Sequence, residues 1–304
     1  MIRKLTALAG ALIVLLTCLA AQAEIVKDEV VYASLAADGQ VKGLYVINAF
    51  EADSQETVTD LGDYTQAFPL GEAEDFAYEN GEVSFVMQAG RFSYQGDLAG
   101  RELPWTIEIS YFLDGNPVAP EALSGAAGQL EVRLTVQVNE AMRSFAEGLS
   151  LQLTVTLDGD KATGIRADKA TYALAGGNRT LAYVVLPGQN ADYAFTANIR
   201  DFSMPGIQAA AVRMGMDEKM YQDAAVRVMA GSPFESAVSG LMGNFIRSMQ
   251  GRAPVSFTNK ENSVRNVQFV MMAQGIPAPE PPAQPAPEPE SQNLWDRILK
   301  LFNK

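Results

Sequence analysis

Hydrophobic and polar residues alternate with a period of two along much of this chain. Leu130, Val132, Leu134, Val136 and Val138 interleave with Glu131, Arg133, Thr135, Gln137 and Asn139. Leu151, Leu153, Val155 and Leu157 alternate in the same way with Gln152, Thr154 and Thr156. Trp105, Ile107, Ile109 and Tyr111 repeat the pattern, as do Tyr193, Phe195, Ala197 and Ile199. Successive strand side chains point to opposite faces, so each run predicts a strand with one wet and one buried face, the habit of antiparallel sheets. Asp38-Gly39, Asn80-Gly81, Asp114-Gly115 and Asp158-Gly159 punctuate these runs, and Asx-Gly pairs signal hairpins because both residues tolerate positive φ. The fold class expected is mainly β, an Ig-like antiparallel β-sandwich over residues 71–206.

Residues 24–70 read as a small N-terminal β-unit, a hairpin of residues 30–35 and 41–50 about Asp38-Gly39. A lone hairpin is marginal in water, so it needs a partner. Residues 253–276, with strand-like 255–258 and 264–272, supply one, and the two ends are expected to meet. Residues 207–252 change character: Met214, Met216, Met220, Met229, Met242 and Met249 lie among helix-favouring residues, and Met220, Ala224 and Val228 share a helical face. Pro233 suits the first turn of a second helix, so a helical hairpin insertion is expected there, its methionines read as core packing. Residues 277–293 form a Pro/Glu-rich linker, extended and solvated. Residues 294–304 then read as an amphipathic C-terminal helix that orders on contact. Leu294, Trp295, Ile298, Leu299, Leu301 and Phe302 are its contact residues, toward protein, a membrane surface or the chain's own body.

The beginning of the chain reads as an export signal, residues 1–23. Arg3 and Lys4 precede an uncharged apolar run, and Ala21 and Ala23 bracket a small-x-small cleavage site. An uncleaved anchor, or lipidation at Cys18, are the alternatives. The location expected is therefore secreted or cell-envelope associated. The 304 residues hold no histidine and one cysteine, so imidazole bases, thiolate nucleophiles and the usual zinc and haem ligands are missing from residues 24–304. No cofactor, metal or catalytic residue is assigned, and the chain is read as not an enzyme. A formal net charge of −13 repels nucleic acid. Carboxylate chemistry alone survives this filter, with Glu72, Glu74 and Asp75, or Glu102 and Glu108 near Trp105, as candidate acids for a glycan hydrolase.

Several phrases together resemble a known family. Residues 28–33, 41–50 and 60–65, then 109–115, 123–125 and 128–132, then 153–159, 175–178, 185–188 and 201–207, with 255–258 and 267–270, are similar to modules of phage-infection-protein-like (Pip-like) bacterial exported and surface proteins. This would be a short form without the heptad-repeat stalk. The resemblance covers most of residues 24–276, implies β-modules and carries no functional residues across. The function expected is an exported, cell-envelope-associated, non-enzymatic β-sandwich protein acting in surface interaction or scaffolding. A carboxylate-based glycan hydrolase and an accessory subunit of a membrane export system are the alternatives.

Overall fold

A computed structural model of the chain describes residues 25–212 and 254–279. Its first strands are β1 (Val26–Leu35), β2 (Val41–Ala52), β3 (Glu56–Leu61), β4 (Gln66–Pro69), β5 (Glu74–Glu79), β6 (Glu82–Met87), β7 (Gly90–Leu98), β8 (Trp105–Leu113) and β9 (Asn116–Pro117). They are followed by β10 (Gly128–Val138), β11 (Ser150–Asp158), β12 (Ala162–Arg166), β13 (Thr171–Ala175), β14 (Asn178–Val185), β15 (Ala191–Ile199), β16 (Gln208–Val212) and β17 (Asn266–Ala273). One short helix, α1 (Arg143–Ala146), precedes β11. The protein is mainly β.

A nine-stranded sheet of order β13-β14-β11-β16-β17-β1-β2-β7-β4 is the spine of the molecule. It is antiparallel apart from β1 and β17, which run parallel with Val31 opposite Phe269. The alternation seen in the sequence sets its faces. In β1, Lys27, Glu29, Val31, Ala33 and Leu35 are buried, and β2 turns Leu44, Val46, Asn48, Phe50 and Ala52 to the same side. A five-stranded sheet, β12-β15-β10-β8-β9, packs on this face, and the Trp105 ring meets Phe269 edge-on at 5.6 Å. Leu130, Val132, Leu134 and Val136 of β10 are wholly buried in that layer. Each such side chain contributes about 1.5–3 kcal/mol of burial free energy. A three-stranded sheet, β3-β6-β5, covers the other end, where Phe85 lies 4.5 Å from Phe92 and 5.3 Å from Phe50.

The turn between β1 and β2 fastens the sheets to one another. Asp38 O accepts a hydrogen bond from Ile109 N of β8 at 2.9 Å, and Tyr111 Oη donates to Ala37 O at 2.9 Å. Gly39 has φ +97°, and a Cβ there would stand 1.9 Å from Ile107 O. Only glycine can bring the turn this close to the strand.

Several expectations are corrected by the structure. Gln208–Val212, assigned above to the helical hairpin, form strand β16, wedged between β11 and β17. Alanine's helix preference yields to two ladders of hydrogen bonds. Residues 255–258 are not a strand but a strap lying across the buried face. Asp158-Gly159 does not close a hairpin; it leads from β11 in the large sheet to β12 in the five-stranded one. One sheet of nine strands with a parallel pair at its centre does not follow the Ig arrangement of seven to nine antiparallel strands shared between two sheets. The signal with Ala21 and Ala23, the remainder of the helical hairpin, the linker beyond Pro279 and the C-terminal helix lie outside the described residues.

Gly39→Ala is expected to cost about 2–3 kcal/mol in urea unfolding, from backbone strain and contact with Ile107. A change within about 0.5 kcal/mol, usual for a surface position, would show that the turn does not rest on β8.

Candidate functional site

Two features stand out, one closed and one open. The closed one is a polar cluster on the buried face of the large sheet. Lys27 Nζ lies 2.7 Å from both Asp60 oxygens and 2.9 Å from Glu29 Oε1. Glu29 is fully buried, and its oxygens accept from Ser256 Oγ at 2.6 Å, Phe257 N at 2.6 Å and Thr258 Oγ1 at 2.9 Å. Tyr94 Oη donates to Asp60 Oδ2 and lies 3.3 Å from Tyr64 Oη, which accepts from Asn48 Nδ2 at 3.1 Å. The Tyr64 ring fits because β7 has glycine beside it: a Cβ on Gly96 would be 2.4 Å from the ring. Asn48 Oδ1 is buried with no partner among the described residues, which costs about 1–3 kcal/mol.

Burial dominates the titration of Asp60, Tyr64 and Tyr94. Asp60 is raised above the ordinary aspartate value, chiefly by desolvation, with Lys27 opposing. Tyr94 is pushed well above the usual tyrosine range by burial and then by Tyr64 and Asp60, so its hydroxyl remains a donor. A cavity of about 490 Å³ reaches Lys27 and Asp60 between Thr57, Glu82 and Asn262. Lys27 nevertheless donates to both Asp60 oxygens and, at 3.4 Å, to Thr258 Oγ1, and is ion-paired with Glu29, so its ammonium is already taken up within the protein. The cluster binds the protein to itself.

What it binds is the strap. Residues 255–263 pass over β1, with Ser256, Phe257 and Thr258 on Glu29. Asn262 donates to Leu61 O at 2.7 Å and accepts from Leu61 N at 3.1 Å. Phe257 is wholly buried, 5.2 Å from Phe269, with the Arg101 guanidinium 5.1 Å from its ring centre. Arg101 Nη1 also donates to Thr258 O at 2.9 Å.

Arg101 belongs as well to the open feature, a cleft of about 1000 Å³ at the far end of β1. The β1–β2 turn, the segment after β7 and the start of β8 enclose it. Leu35, Leu44, Leu98, Leu103 and Trp105 make its floor, while Val41, Lys42, Arg101, Glu102 and Glu140 stand around its mouth. The β8 edge forms one wall. Trp105, Ile107, Ile109 and Tyr111 turn their backbone groups away from β10, and Asp38 and Val118 take up those of Ile109 and Tyr111. Among the described residues no backbone hydrogen bond reaches the outward N–H of Ile107 or the N–H and C=O of Trp105.

The residues singled out in the sequence are placed differently. Leu294, Trp295, Ile298, Leu299, Leu301 and Phe302 lie outside the described residues. Of the candidate acids, Glu74 meets Gln88 and Glu102 meets Asn139, and no group of three His, Cys, Asp or Glu able to hold a metal forms among the described residues. Lys27, Glu29, Asn48 and Asp60 went unnoticed. A parity signal was present for three of them: Asn48 stands two residues from buried Val46 and Phe50, Glu29 two from buried Val31, and Asp60 two from buried Val58.

Fold and cleft together describe a mainly β module with an open strand edge inside a groove. No protein-family model and no curated protein matches the chain. Among solved structures it is similar to the Fcho1 mu homology domain of Danio rerio with bound Eps15 peptide, at 9% identity and a TM-score of 0.41 over 83% of this chain and 97% of that one. The yeast delta-COP-I mu-homology domain follows at 11% identity and 0.37, over 82% and 95%. The same domain complexed with the Dsl1 WxWxV peptide stands at 8% and 0.35, over 82% and 95%. These are mu-homology domains of fish and yeast proteins, not exported bacterial surface proteins, and the reading as an exported, cell-envelope-associated protein with a secreted and cell-surface location is not kept. At these TM-scores the likeness confers none of their activities on this chain.

Lys27→Met, which leaves two carboxylates buried without their cation, is expected to destabilise the protein by about 3–5 kcal/mol in urea unfolding. A loss under about 1 kcal/mol, the worth of an exposed pair, would show that the cluster is solvated. The raised value of Asp60 also has a pH signature. The native state holds its proton above pH ~4, where the unfolded chain has released it, so this contribution is complete below pH ~4 and is lost as pH rises through the raised value. The thermal midpoint of Asp60→Asn should therefore fall less than wild type between pH 4 and neutrality, and parallel curves would contradict the assignment.

Proposed function

We propose that this chain is a non-enzymatic protein-interaction module whose cleft binds an extended peptide segment. The observation that carries the reading is the β8 edge beside an apolar floor. The outward groups of Trp105 and Ile107 offer two donors and an acceptor to an incoming strand, above a floor of buried Leu35, Leu44 and Leu98 and beside exposed Val41 and Lys42. Strand addition of this kind takes affinity from main-chain hydrogen bonds and specificity from pockets for every second residue. The covered length is short because Gly39 and Asp38 already occupy the edge at Ile107 O and Ile109 N. Contact through Leu294, Trp295, Ile298, Leu299, Leu301 and Phe302, toward protein or a membrane surface, belongs to the same reading of the chain as an interaction protein.

Selection of random peptides on the full chain, followed by titration, tests this. Ala99→Arg and Val41→Arg place a long charged side chain at the exposed mouth of the cleft. Each is expected to weaken the selected peptides at least about tenfold, or about 1.4 kcal/mol. Failure to select any peptide, or binding indifferent to both substitutions, would overturn the reading.

A further inference from the structure

The chain leaves its described body close to the cleft. Gln274 N donates to the carbonyl of Leu35, a residue of the cleft floor, at 3.0 Å. Five residues later Pro279 lies against Gly125, where a Cβ would stand 3.1 Å from the proline ring. Five residues span at most about 18 Å. Residues 280–293 follow, fourteen residues rich in proline and glutamate, which reach roughly 43 Å in polyproline geometry. The return path is thus more than twice as long as the separation it must cover.

We propose that the occupant of the cleft in the resting protein is the chain's own tail, residues 294–304, seated by Leu294, Trp295, Ile298 and Leu299 on Leu35, Leu44, Leu98, Leu103 and Trp105. The inference rests on the peptide-binding reading above and makes the tail its internal competitor. Two observations support it besides reach. First, those four tail residues fall at i, i+1, i+4 and i+5, the spacing of one helical face laid into an apolar groove. Second, two turns of helix about 10 Å across and about 11 Å long occupy on the order of 900 Å³, and the cleft measures about 1000 Å³. A tether of this length supplies an effective concentration near ~1 mM, so a tail of ~100 μM intrinsic affinity weakens an outside peptide about tenfold.

The chain holds two tryptophans, Trp105 in the cleft floor and Trp295 in the tail, so the full chain with Trp105→Phe reports on Trp295 alone. The expected result is a blue-shifted Trp295 emission with acrylamide quenching severalfold below that of the same chain carrying Ala99→Arg. The full chain should also bind a selected peptide about tenfold more weakly than its Leu299→Ser variant, the size of effect set by the tether. Equal quenching with and without Ala99→Arg would overturn the proposal, as would protection that Ala99→Arg leaves intact or that grows with protein concentration. The two readings fail separately. Outside peptides that bind full chain and Leu299→Ser alike leave the cleft's function standing and remove the tail from it. A protected, Ala99→Arg-sensitive Trp295 on a chain that selects no peptide does the reverse.

Discussion

A lysine with both neighbours acidic and all three out of water is the constraint around which this molecule is arranged. Lys27 comes from β1, Asp60 from β3 and Glu29 from β1 again, and Glu29 in turn holds the strap at residues 256–258. Segments more than 200 residues apart in sequence meet on one ammonium and two carboxylates. Moving such ions out of water costs several kcal/mol each, and mutual attraction offsets this only when every donor and acceptor finds its place. Here the three lysine donors, the strap's hydroxyls and amide, and the Tyr94 hydroxyl fill those places. An apolar core could be as stable. It would not require Phe257, Asn262 and β3 to arrive in a single register, and that demand is what the cluster adds.

The same strand carries the cleft at its other end. Across the ten residues of β1 the buried row runs from Lys27 to Leu35, so the site that binds the strap and the floor of the open groove share one rigid element at the middle of the large sheet. Arg101 links them laterally. It covers Phe257 and donates to Thr258 O on one side, and stands at the cleft mouth on the other. The cleft therefore has a floor of buried strand residues and exposed residues, Val41, Lys42, Ala99, Glu102 and Glu140 among them, around its mouth. A partner that adds to β8 meets a prepared edge and need not order it, which lowers the entropic cost of binding.

Much of this was legible in the residues. The period of two located β8, β10, β11 and β15 and stated which side chains would be inside, because a pleated strand leaves its side chains no other choice of face. Asn80-Gly81 and Asp114-Gly115 form tight turns with positive φ at both residues, as their chemistry requires. Gln208–Val212 was misread because three consecutive alanines favour helix locally, whereas a place between β11 and β17 favours extension more strongly. The polar cluster was missed for a related reason. Lys27, Glu29 and Asn48 at buried positions look like errors of alternation until their partners, distant in sequence, are known.

Periodicity, turn chemistry and composition on their own determined that this is a mainly β protein without imidazole chemistry or disulfides, and which residues face its core. These are local properties, read within a few residues of each position. Only the tertiary structure decided that nine of the strands form one sheet with a parallel pair at its centre, that Lys27 lies between Asp60 and Glu29, and that the β8 edge borders a cleft with both apolar and charged lining residues. Each depends on contacts between segments far apart in the chain. Pairing partners are chosen by packing and desolvation of the assembled face, which no single stretch of sequence encodes.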